Sequence, residues 1–372
     1  MKNNISIYVS VFILILFMPI FAMFFNIQLR VDEKRINTKK PDFSFNKNYP
    51  NDFEEYYNDN FGLRSFLIDW NSRIKIDYFR TSPKPESVLF GKNGFLFYNE
   101  KSDAIYDSYS RLDIEKVEDI ALIYEYQKII KEKLASKNIK YFIGFFPNKH
   151  TIYIENLPFS MINQIQDNSS LSNQLVSYFE RKNFPFIDVT KELLMEKKNN
   201  QLYYKFDTHW NNYGAYIGYK SICNQTFKEL QIKPFETNFF KIKYSKINDG
   251  DLVNMIGIRE MEFTYDEKPN FELKNKKMGY VTGSAEGFPK NTVMTTNKNC
   301  KNKKIVIVFR DSFTDALIQF LSLHFYKAFY VNEKDVNFKL IEKVKPNIVI
   351  SLRVERYLKL LKTKVNNSNN KL

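Results

Sequence analysis

Apolar residues follow three different patterns along this chain, and the first is an unbroken run near the N-terminus. Residues 5–25 read ISIYVSVFILILFMPIFAMFF, and no charged residue lies between Lys2 and Arg30. A helix needs about 20 apolar residues to cross the hydrocarbon core of a bilayer. Pro19 is tolerated in such a helix, because neighbouring groups satisfy the backbone carbonyl that it frees. The run therefore predicts a transmembrane anchor over residues 1–29.

Two alternatives to an anchor are a cleaved signal peptide and a buried soluble helix. No small-residue A-x-A cleavage pattern follows residue 21, which favours a retained anchor. A buried soluble helix is disfavoured because the run is apolar on every face. Counted alone, the flanking basic residues place the rest of the chain in the cytoplasm, since one precedes the run and more follow it: Lys2, then Arg30, Lys34, Arg35, Lys39 and Lys40.

The second pattern is amphipathic and begins shortly after the anchor. Residues 52–79 carry apolar side chains at helical spacing, so residues 30–85 are expected to form a membrane-proximal helical segment. Residues 88–98 (VLFGKNGFLFY) then place two apolar runs around Asn93-Gly94. An Asn-Gly pair between such runs predicts a β-hairpin, because both turn residues adopt a positive φ.

The third pattern alternates short apolar runs with amphipathic stretches. Buried strands are predicted at residues 141–146, 184–189, 304–309, 328–331 and 347–351, and helices at 113–137, 171–182, 212–230, 313–324 and 336–344. Strands that are apolar throughout and alternate with helices form a parallel sheet covered on both faces. The predicted fold class is therefore α/β, with helices on both faces of a parallel sheet.

Residues 235–300 interrupt this alternation. They are lysine-rich with short apolar pieces, and we expect an irregular or β-rich insertion within a domain that spans residues 86–358. The last residues, 359–372, read KLLKTKVNNSNNKL and predict a basic, polar and frayed tail. No internal repeat is evident in the sequence.

Composition narrows the range of functions. The 372 residues include 56 Lys and Arg against 42 Asp and Glu, a formal net charge of +14. Such a charge suits an anionic partner, but the lysines are spread along the chain and no nucleic-acid motif accompanies them, so no nucleic-acid partner is expected. Two cysteines exclude a disulfide-dense scaffold, and together with three histidines they provide few potential ligands for a zinc site. We expect neither a metal nor a cofactor.

The first candidate site follows the predicted strand at residues 304–309. Binding and catalytic groups gather at the carboxyl ends of strands in an open parallel sheet. Here Arg310 and Asp311 end the strand and Ser312 begins the next helix. A serine at such a junction exposes its hydroxyl above the sheet, near backbone N–H groups that suit a developing oxyanion. The alternative is that Ser312 or Asp311 only caps the helix.

The second candidate site is FDTHWNNYGA at residues 206–215, which carries Asp207 and His209. In a straight strand these two side chains point to the same side, although contact between them needs a local turn. A general base of the histidine type needs a carboxylate that orients the ring and stabilises its protonated form. The alternative is that Asp207 caps the helix after Asn211 and that His209 is structural.

Taken together, the two sites complete an acyl-transfer triad of Ser312, His209 and Asp207. His150 follows another predicted strand and is a rival base, but no carboxylate adjoins it in the sequence. His324 falls inside a predicted helix and is expected to be structural.

These boxes resemble the SGNH-hydrolase-like polysaccharide O-acetyltransferases of the AlgX/AlgJ alginate-acetylation type, and the related proteins named for a D-H-H-W box. The resemblance covers residues 52–358 and rests on DTHWNNYGAY, RDSF, GKNGFLFY, GDLVNMIG and VISLRVERYL. Two positions depart from the family pattern. Arg310 stands where the serine box often has glycine, and Thr208 stands where the D-H-H-W box has its first histidine.

The resemblance implies a flavodoxin-like SGNH-hydrolase fold in which Ser312 is the nucleophile, His209 the general base and Asp207 the residue that orients it. The acetyl group would pass to Ser312 and then to a hydroxyl of a cell-surface or secreted polysaccharide. The backbone N–H of Ser312 is a candidate oxyanion donor. Arg310 is a further candidate for contact with the substrate or the oxyanion. Four other residues are expected at the substrate, at the oxyanion or in the scaffold, with the scaffold favoured: Lys149, Asp251, Glu355 and Arg356.

The same resemblance implies a single-pass protein whose catalytic domain lies outside the cytoplasmic membrane, in the periplasm or at the cell surface. We follow it rather than the flanking charges, because the charge rule has exceptions. In some relatives a membrane-bound O-acyltransferase supplies the acetyl group. Two other functions stay open: a carbohydrate acetyl esterase with the same triad, and a non-catalytic glycan-binding or assembly protein.

Overall fold

A computed structural model describes residues 2–25, 27, 38–43, 45–257, 265–283 and 285–362. The chain divides into two compact units, residues 1–83 with 256–258 and residues 84–255 with 259–372. Three predicted regions lie partly outside the described residues: the basic flank after the first helix, the middle of the 235–300 insertion and the 359–372 tail.

In the first unit, the N-terminal apolar run is a single helix, α1 (Lys2–Phe24), with Pro19 inside it. Its stretch Ile7–Phe24 is long and apolar enough to cross a membrane, judged by length and composition alone. Large apolar side chains such as Phe12 and Leu14 are exposed along it. A lipid environment would cover them, and a signal sequence near the N-terminus would share the same properties.

The helical segment predicted at residues 52–79 forms two further helices of the first unit. They are α2 (Tyr49–Asn60) and α3 (Arg64–Asp77). Leu63 separates them with a φ of +63°, in the left-handed region. A branched residue in that region cannot continue a right-handed helix, so the chain turns there.

The second unit is built around a seven-stranded sheet. Its described strands are β1 (Val88–Phe90), β2 (Leu96–Tyr98), β3 (Lys140–Phe146), β4 (Phe186–Asp188), β5 (Phe240–Ile247), β6 (Asp266–Leu273), β7 (Val281–Gly283), β8 (Val293–Thr296), β9 (Ile305–Phe309), β10 (Lys327–Val331) and β11 (Ile348–Val354). The sheet has the order β4-β3-β11-β9-β10-β8-β7, and β1-β2 and β5-β6 are separate antiparallel pairs.

The sheet is mixed rather than wholly parallel. Strands β4, β3, β11, β9 and β10 are parallel, and they correspond to the five apolar runs that predicted them. Strands β8 and β7 add to this core in the antiparallel direction. Both come from residues 235–300, so this segment is only partly an insertion: it forms the β5-β6 hairpin and then extends the sheet. The run VMTT of β8 is too short and too polar to signal a sheet strand.

Helices cover both faces of the sheet, as predicted. In the second unit they are α4 (Ile105–Ser110), α5 (Val117–Ala135), α6 (Lys149–Ile152), α7 (Phe159–Ile162), α8 (Leu171–Arg181), α9 (Thr190–Glu196), α10 (Asn212–Gln225), α11 (Asp251–Met255), α12 (Ile318–Leu321) and α13 (Phe338–Val344). Helices α5 and α8 bury Leu134 and Phe179 with Val349 of β11. Helix α10 buries Tyr219 with Ile350 of β11 on the other face. Neighbouring residues of one strand thus point to opposite faces of the sheet and pack into two different cores.

The hairpin predicted around Asn93-Gly94 is present. Strands β1 and β2 pair antiparallel with Val88 opposite Tyr98. Asn93 and Gly94 have φ values of +55° and +76°, a region that glycine enters without a steric penalty. The connection is a 3₁₀ turn, Lys92–Gly94, rather than a two-residue turn.

The helix predicted at residues 313–324 is shorter and tighter than expected. A 3₁₀ helix, Ser312–Leu317, leads into the single turn of α12. Strand β10 begins at Lys327, so the chain must turn back to the sheet soon after α12 ends. Consequently His324 follows the helix instead of lying inside it, and Ser312 occupies the first position of a 3₁₀ turn.

Candidate active site

Two loops that lie 103 positions apart in the sequence meet at the carboxyl edge of the sheet. The first is a hairpin loop, residues 202–211, closed by a hydrogen bond from the N–H of Tyr204 to the carbonyl of His209 (3.2 Å). It leads directly into α10. The side chain of Asn211 caps that helix, so the alternative that Asp207 is the cap is wrong.

Asp207 and His209 are joined by a local turn within this hairpin loop. Oδ1 of Asp207 accepts hydrogen bonds from the backbone N–H of His209 (2.8 Å) and from its ring Nδ1 (2.7 Å). The first bond is an Asx turn, which brings the two side chains together. The second assigns the tautomer, because a carboxylate only accepts: Nδ1 carries the proton and Nε2 keeps its lone pair.

Ser312 extends this pair into a line of three side chains. Its Oγ lies 2.8 Å from Nε2 of His209. Since Nδ1 of His209 donates to Asp207, Nε2 is the acceptor of the hydrogen bond from the hydroxyl of Ser312. Ser312 is exposed, and the side chains of His209 and Asp207 are 29% and 24% exposed. The hydroxyl of Ser312 is therefore accessible to a substrate. Asp207 holds the imidazole of His209 through Nδ1, on the side of the ring away from Ser312.

The charges around His209 favour its protonated form. Burial raises the pKa of Asp207, but the hydrogen bonds and the charge of His209 outweigh burial and lower this pKa below its usual range. Burial lowers the pKa of His209, whereas the hydrogen bond and charge of Asp207 raise it, and the resulting pKa is raised. An imidazole in this environment is a stronger base toward a serine hydroxyl.

Asp311 holds Ser312 in place. Its Oδ1 accepts the N–H of Phe313 (3.0 Å), and its Oδ2 accepts the N–H of Val354 at the end of β11 (2.6 Å). The capping role considered for Ser312 or Asp311 thus belongs to Asp311. Its carboxylate also fixes the serine turn against the neighbouring strand, which leaves the hydroxyl of Ser312 available to His209.

Arg310 stabilises the serine turn from within the protein. Its side chain is only 4% exposed, and Nη1 pairs with Oδ1 of Asp315 at 2.7 Å. The guanidinium also donates to the carbonyls of Asp311 (3.2 Å) and Asn291 (3.1 Å). These bonds connect the start of the serine turn to its later residues and to a neighbouring loop. They favour a scaffold role over a substrate contact.

Asp251 is a second carboxylate beside the Asp207–His209 pair. It begins α11, and its two oxygens accept the N–H (2.7 Å) and the hydroxyl (2.5 Å) of Thr208. Its own N–H donates to Oδ2 of Asp207 (3.1 Å). Oδ2 of Asp251 lies 3.6 Å from Nδ1 of His209. The segment expected to be an insertion therefore contributes directly to this site.

Asp207, His209 and Asp251 also form a group with the spacing of metal ligands. Their donor atoms lie within 4.8 Å of one another. However, Nδ1 of His209 is hydrogen-bonded to Asp207, and both oxygens of Asp251 are hydrogen-bonded to Thr208. A cation between them would have to displace these bonds. The donor set thus fits a hydrogen-bonded relay better than a metal centre.

Lys149 supports the tip of the hairpin loop. It is 2% exposed, and its Nζ donates to the carbonyls of Tyr204 (3.1 Å), Lys205 (3.2 Å) and Asp207 (2.7 Å). An ammonium group has three protons, and these bonds use all of them. Burial lowers the pKa of Lys149 to about 8 against the opposing effect of nearby carboxylates. This buried position favours a scaffold role rather than a substrate contact.

Arg356 is a fixed cation near the imidazole. Its Nε donates to Asp103 (3.1 Å), and its Nη1 lies 3.4 Å from Oδ1 of Asn148. The guanidinium carbon is 5.7 Å from the ring centre of Phe313. Its charge is among the effects that lower the pKa of His209. Arg356 thus acts on the electrostatic potential of the site from a position held by its own hydrogen bonds.

The remaining candidates lie in buried surroundings of their own. Nε2 of His150 bonds to the carbonyl of Tyr98 (2.9 Å), and burial lowers the pKa of His150 to about 3. Nε2 of His324 bonds to the hydroxyl of Tyr219 (2.6 Å), and burial lowers the pKa of His324 to about 4. Glu355 is buried and accepts one backbone N–H and two hydroxyl groups. These contacts are typical of structural residues.

Comparison with known proteins identifies the family. Residues 88–286 match the family described as "ALGX: SGNH hydrolase-like domain, acetyltransferase AlgX", over more than half of the chain. The chain belongs to this family. The match includes Asp207, His209 and Asp251 and ends before Ser312. It confirms the SGNH-like α/β fold and the acetyltransferase family that the sequence boxes indicated.

Two known proteins illustrate the similarity. The probable alginate O-acetylase AlgJ of Azotobacter vinelandii is 25% identical over 210 residues, which cover 55% of this chain and 50% of that protein. The chain thus spans about half the length of this curated relative. Bacillus cereus PatB1 superposes with a TM-score of 0.53 at 17% identity, covering 73% of this chain and 96% of that one. PatB1 with a sulfonyl adduct gives a TM-score of 0.51 at 17% identity, over 73% and 94% of the two chains. At this identity the likeness shows the fold alone.

Two further residues of the family domain shape the site, and the sequence pattern alone does not predict a role for either. The indole Nε1 of Trp210 donates to the carbonyl of Phe313 (2.9 Å). At Gly250, a Cβ would lie 2.3 Å from the carbonyl oxygen of Phe206, so only glycine permits this close approach to the hairpin loop. Both lie in boxes that carry the family resemblance, DTHW and GDLVNMIG, but their contacts leave no periodic signal in the sequence.

Proposed function

We propose that this protein is an O-acetyltransferase that carries an acetyl group on Ser312 and transfers it to a hydroxyl of a polysaccharide. The observation that carries the proposal is the line from Oγ of Ser312 to Nε2 of His209 (2.8 Å) and from Nδ1 of His209 to Asp207 (2.7 Å). Nucleophilic catalysis by a serine needs these groups in this order and at such distances. Membership of an acetyltransferase family supports the choice of acyl group.

In the first half-reaction, Oγ of Ser312 attacks the carbonyl carbon of an acetyl ester while its proton moves to Nε2 of His209. Asp207 stabilises the resulting imidazolium by accepting the hydrogen bond from Nδ1. The tetrahedral intermediate then collapses. The bond between the carbonyl carbon and the donor oxygen breaks, and that oxygen takes the proton from Nε2. Acetylated Ser312 and neutral His209 remain.

The second half-reaction reverses these steps with a new alcohol. A sugar hydroxyl gives its proton to Nε2 of His209 and attacks the acetyl carbonyl on Ser312. The ester bond to Oγ breaks, and Oγ regains the proton. The two halves exchange one ester for another, so no oxidant, reductant or further co-reactant is needed.

An oxyanion forms in both half-reactions and needs hydrogen-bond donors or positive charge. The N–H of Phe313 already donates to Asp311, so we propose the N–H of Ser312 as the donor from the serine turn. Arg356 adds a fixed positive charge at the same edge of the sheet. Groups that are held in place before the reaction stabilise an oxyanion without a reorganisation cost.

The acceptor is proposed only as a cell-surface or secreted polysaccharide, since the curated relative is named as an alginate O-acetylase. We propose α1 as a single-pass anchor that keeps the catalytic domain outside the cytoplasmic membrane, where such a polymer is reached. Charged acetyl donors do not cross the apolar bilayer unaided. An acetyl group must therefore be delivered across it, and a membrane-bound O-acyltransferase is the proposed partner.

Replacement of the nucleophile tests the proposal in cells. In a strain without a paralogue, Ser312→Ala should reduce the O-acetyl content of the envelope polysaccharide to that of a deletion strain. Ser102 is exposed, and Ser102→Ala serves as the matched control. Acetylation at the wild-type level in Ser312→Ala cells would rule out an acetyl-serine intermediate.

Two alternatives are separated by experiments with purified full-length protein. A non-catalytic glycan-binding protein should not be modified at Ser312 by a sulfonyl fluoride, whereas the proposed enzyme should be, as measured by mass spectrometry. An esterase is also modified, but it releases free acetate. With a small acetyl ester and a soluble oligosaccharide, a transferase forms acetylated oligosaccharide faster than acetate.

A further inference from the structure

We infer that Asp251 is a positioning residue that sets both the orientation and the basicity of His209. The inference rests on the proposed function, in which His209 is the general base. Asp251 lies in α11, within the segment 235–300, and it does not touch Ser312 in the hydrogen-bonded line. It acts instead through the turn that carries Asp207 and His209.

The side chain and the backbone of Asp251 hold different parts of that turn. Both side-chain oxygens bind Thr208, the residue between Asp207 and His209. The backbone N–H binds Oδ2 of Asp207, which is the oxygen left over when Oδ1 binds His209. All three residues of the turn are therefore held by α11 or by one another. Close approach of Gly250 to the same loop brings α11 into this position.

Asp251 is placed to act on His209 through charge rather than through the orienting hydrogen bond. Nδ1 of His209 lies 2.7 Å from Asp207 and 3.6 Å from Asp251. A nitrogen with one proton makes its strong hydrogen bond with the nearer oxygen. The second carboxylate then adds negative potential behind the ring. Its charge is one of the effects that raise the pKa of His209.

In the described part of the chain, the charged groups that face His209 come from its own loop and from several other elements, and their balance favours the imidazolium. Asp207 and Asp251 are the anions beside Nδ1, and burial and the charge of Asp207 raise the pKa of Asp251. Asp315 on the serine turn is a further anion that interacts with the charge of His209, and it is paired with Arg310. Arg356 opposes them, and Lys149 faces the two nearer carboxylates. Removal of one anion at this distance should lower the pKa of His209 by about one pH unit.

Asp251→Asn tests the charge with little change of shape. An asparagine keeps an oxygen for the N–H of Thr208 and offers an NH₂ group to its hydroxyl, and the backbone bond to Asp207 is unaffected. The full-length protein in nanodiscs, labelled with ¹⁵N-histidine, reports ring protonation by NMR. Burial lowers the pKa of His150 to about 3 and that of His324 to about 4, whereas the pKa of His209 is raised, so the three rings are distinguished by titration.

The expected result is a pKa of His209 about one pH unit lower in Asp251→Asn than in the wild type. Asp249 is exposed two residues away, and Asp249→Asn should leave that pKa unchanged. Should Asp251→Asn fail to fold, Asp251→Ser removes the same charge and keeps an acceptor for Thr208. A pKa of His209 within about 0.2 pH unit of the wild type in the folded variant overturns the inference.

Activity measured in parallel separates this inference from the proposed function. The pH at which the acetyl-transfer rate is half its maximum should fall with the pKa of His209, and the plateau rate should fall roughly threefold because the base is weaker. A wild-type protein that titrates as described but transfers no acetyl group contradicts the proposed function and leaves the role of Asp251 intact. If the transfer rate of Asp251→Asn rises at the same pH as that of the wild type, the role of Asp251 is overturned and the proposed function is unaffected.

Discussion

The indole N–H of Trp210 donates to the carbonyl oxygen of Phe313 at 2.9 Å, across 103 positions of sequence. Trp210 follows His209 and Phe313 follows Ser312, so one hydrogen bond joins the neighbours of the proposed base and nucleophile. The ring of Phe313 also lies 4.9 Å from that of His209. The distance between Nε2 and Oγ is therefore maintained by contacts that take no part in proton transfer.

Trp210→Phe should loosen this connection. The change leaves the carbonyl of Phe313 without its buried donor, at a cost of about 1–3 kcal/mol. A shift of the serine turn by a fraction of an ångström should lower kcat by about 10- to 100-fold. The measurement is kcat together with the thermal unfolding temperature. Trp70 is exposed, so Trp70→Phe is the control, and an unchanged kcat in Trp210→Phe would contradict the role of this bond.

Asp207→Asn should nearly abolish transfer while the fold is kept. An amide presents an NH₂ group where the carboxylate accepted, so the ring of His209 no longer keeps its proton on Nδ1. By analogy with serine proteases, where the aspartate of the triad was replaced by asparagine, kcat should fall by about three to four orders of magnitude. The check is kcat and KM for a small acetyl ester, and a loss of less than tenfold would contradict the orienting role.

The sequence predicts the parts of the site that depend on position along a strand. Ser312 follows an apolar run buried on both faces, IVIVF, and such runs are recognisable without a structure. The Asp-x-His spacing similarly predicts that Asp207 and His209 lie on one side of the chain. These local rules also account for the five parallel strands.

Contacts made by the backbone could not be predicted in this way. Lys149 binds three carbonyl oxygens, and every residue type carries a carbonyl, so no side-chain pattern marks the partner. Strand β8 joins the sheet through the ladder to β10, although its four residues have no clear apolar period. The 3₁₀ helix after Ser312 likewise depends on where β10 begins, which is a tertiary constraint.

The pH dependence of transfer should follow the protonation of His209. A protonated Nε2 has no lone pair for the hydroxyl proton of Ser312, so activity should rise as the pH rises through the pKa of His209. Since that pKa is raised above 6.5, the midpoint of the limb in kcat/KM should lie above pH 6.5. A profile from pH 5 to 9 with a small acetyl ester measures it, and a midpoint below 6.5 would contradict the assignment of the base.

Gly250→Ala should displace the hairpin loop. The added methyl group would lie 2.3 Å from the carbonyl oxygen of Phe206, well inside van der Waals contact, and neither backbone segment can move freely. We expect a lower unfolding temperature and a kcat reduced by about tenfold or more, since Asp207 follows Phe206 directly. Gly279→Ala meets no atom closer than 3.1 Å and is the control. Equal kcat values for the two variants would contradict the prediction.

Lys149→Met should show how far the rate depends on the position of Asp207, because the variant leaves the carboxylate of Asp207 chemically unchanged. Methionine fills a similar volume but leaves the carbonyls of Tyr204, Lys205 and Asp207 without their shared donor. The tip of the hairpin loop should then move more freely, and kcat should fall by about 10- to 100-fold with little change in KM for a small acetyl ester. Lys149→Arg should not restore kcat, because a planar guanidinium cannot direct three N–H groups around a compact ammonium site.

The matched control for this variant is Lys137→Met, which removes an exposed lysine paired with Glu342 and should leave kcat unchanged. The pH profile distinguishes positioning from general damage. If Lys149 only orients the turn, the pH limb assigned to His209 should keep its midpoint to within about half a pH unit while the plateau falls. A wild-type plateau in Lys149→Met would show that the turn keeps Asp207 in place without the buried ammonium.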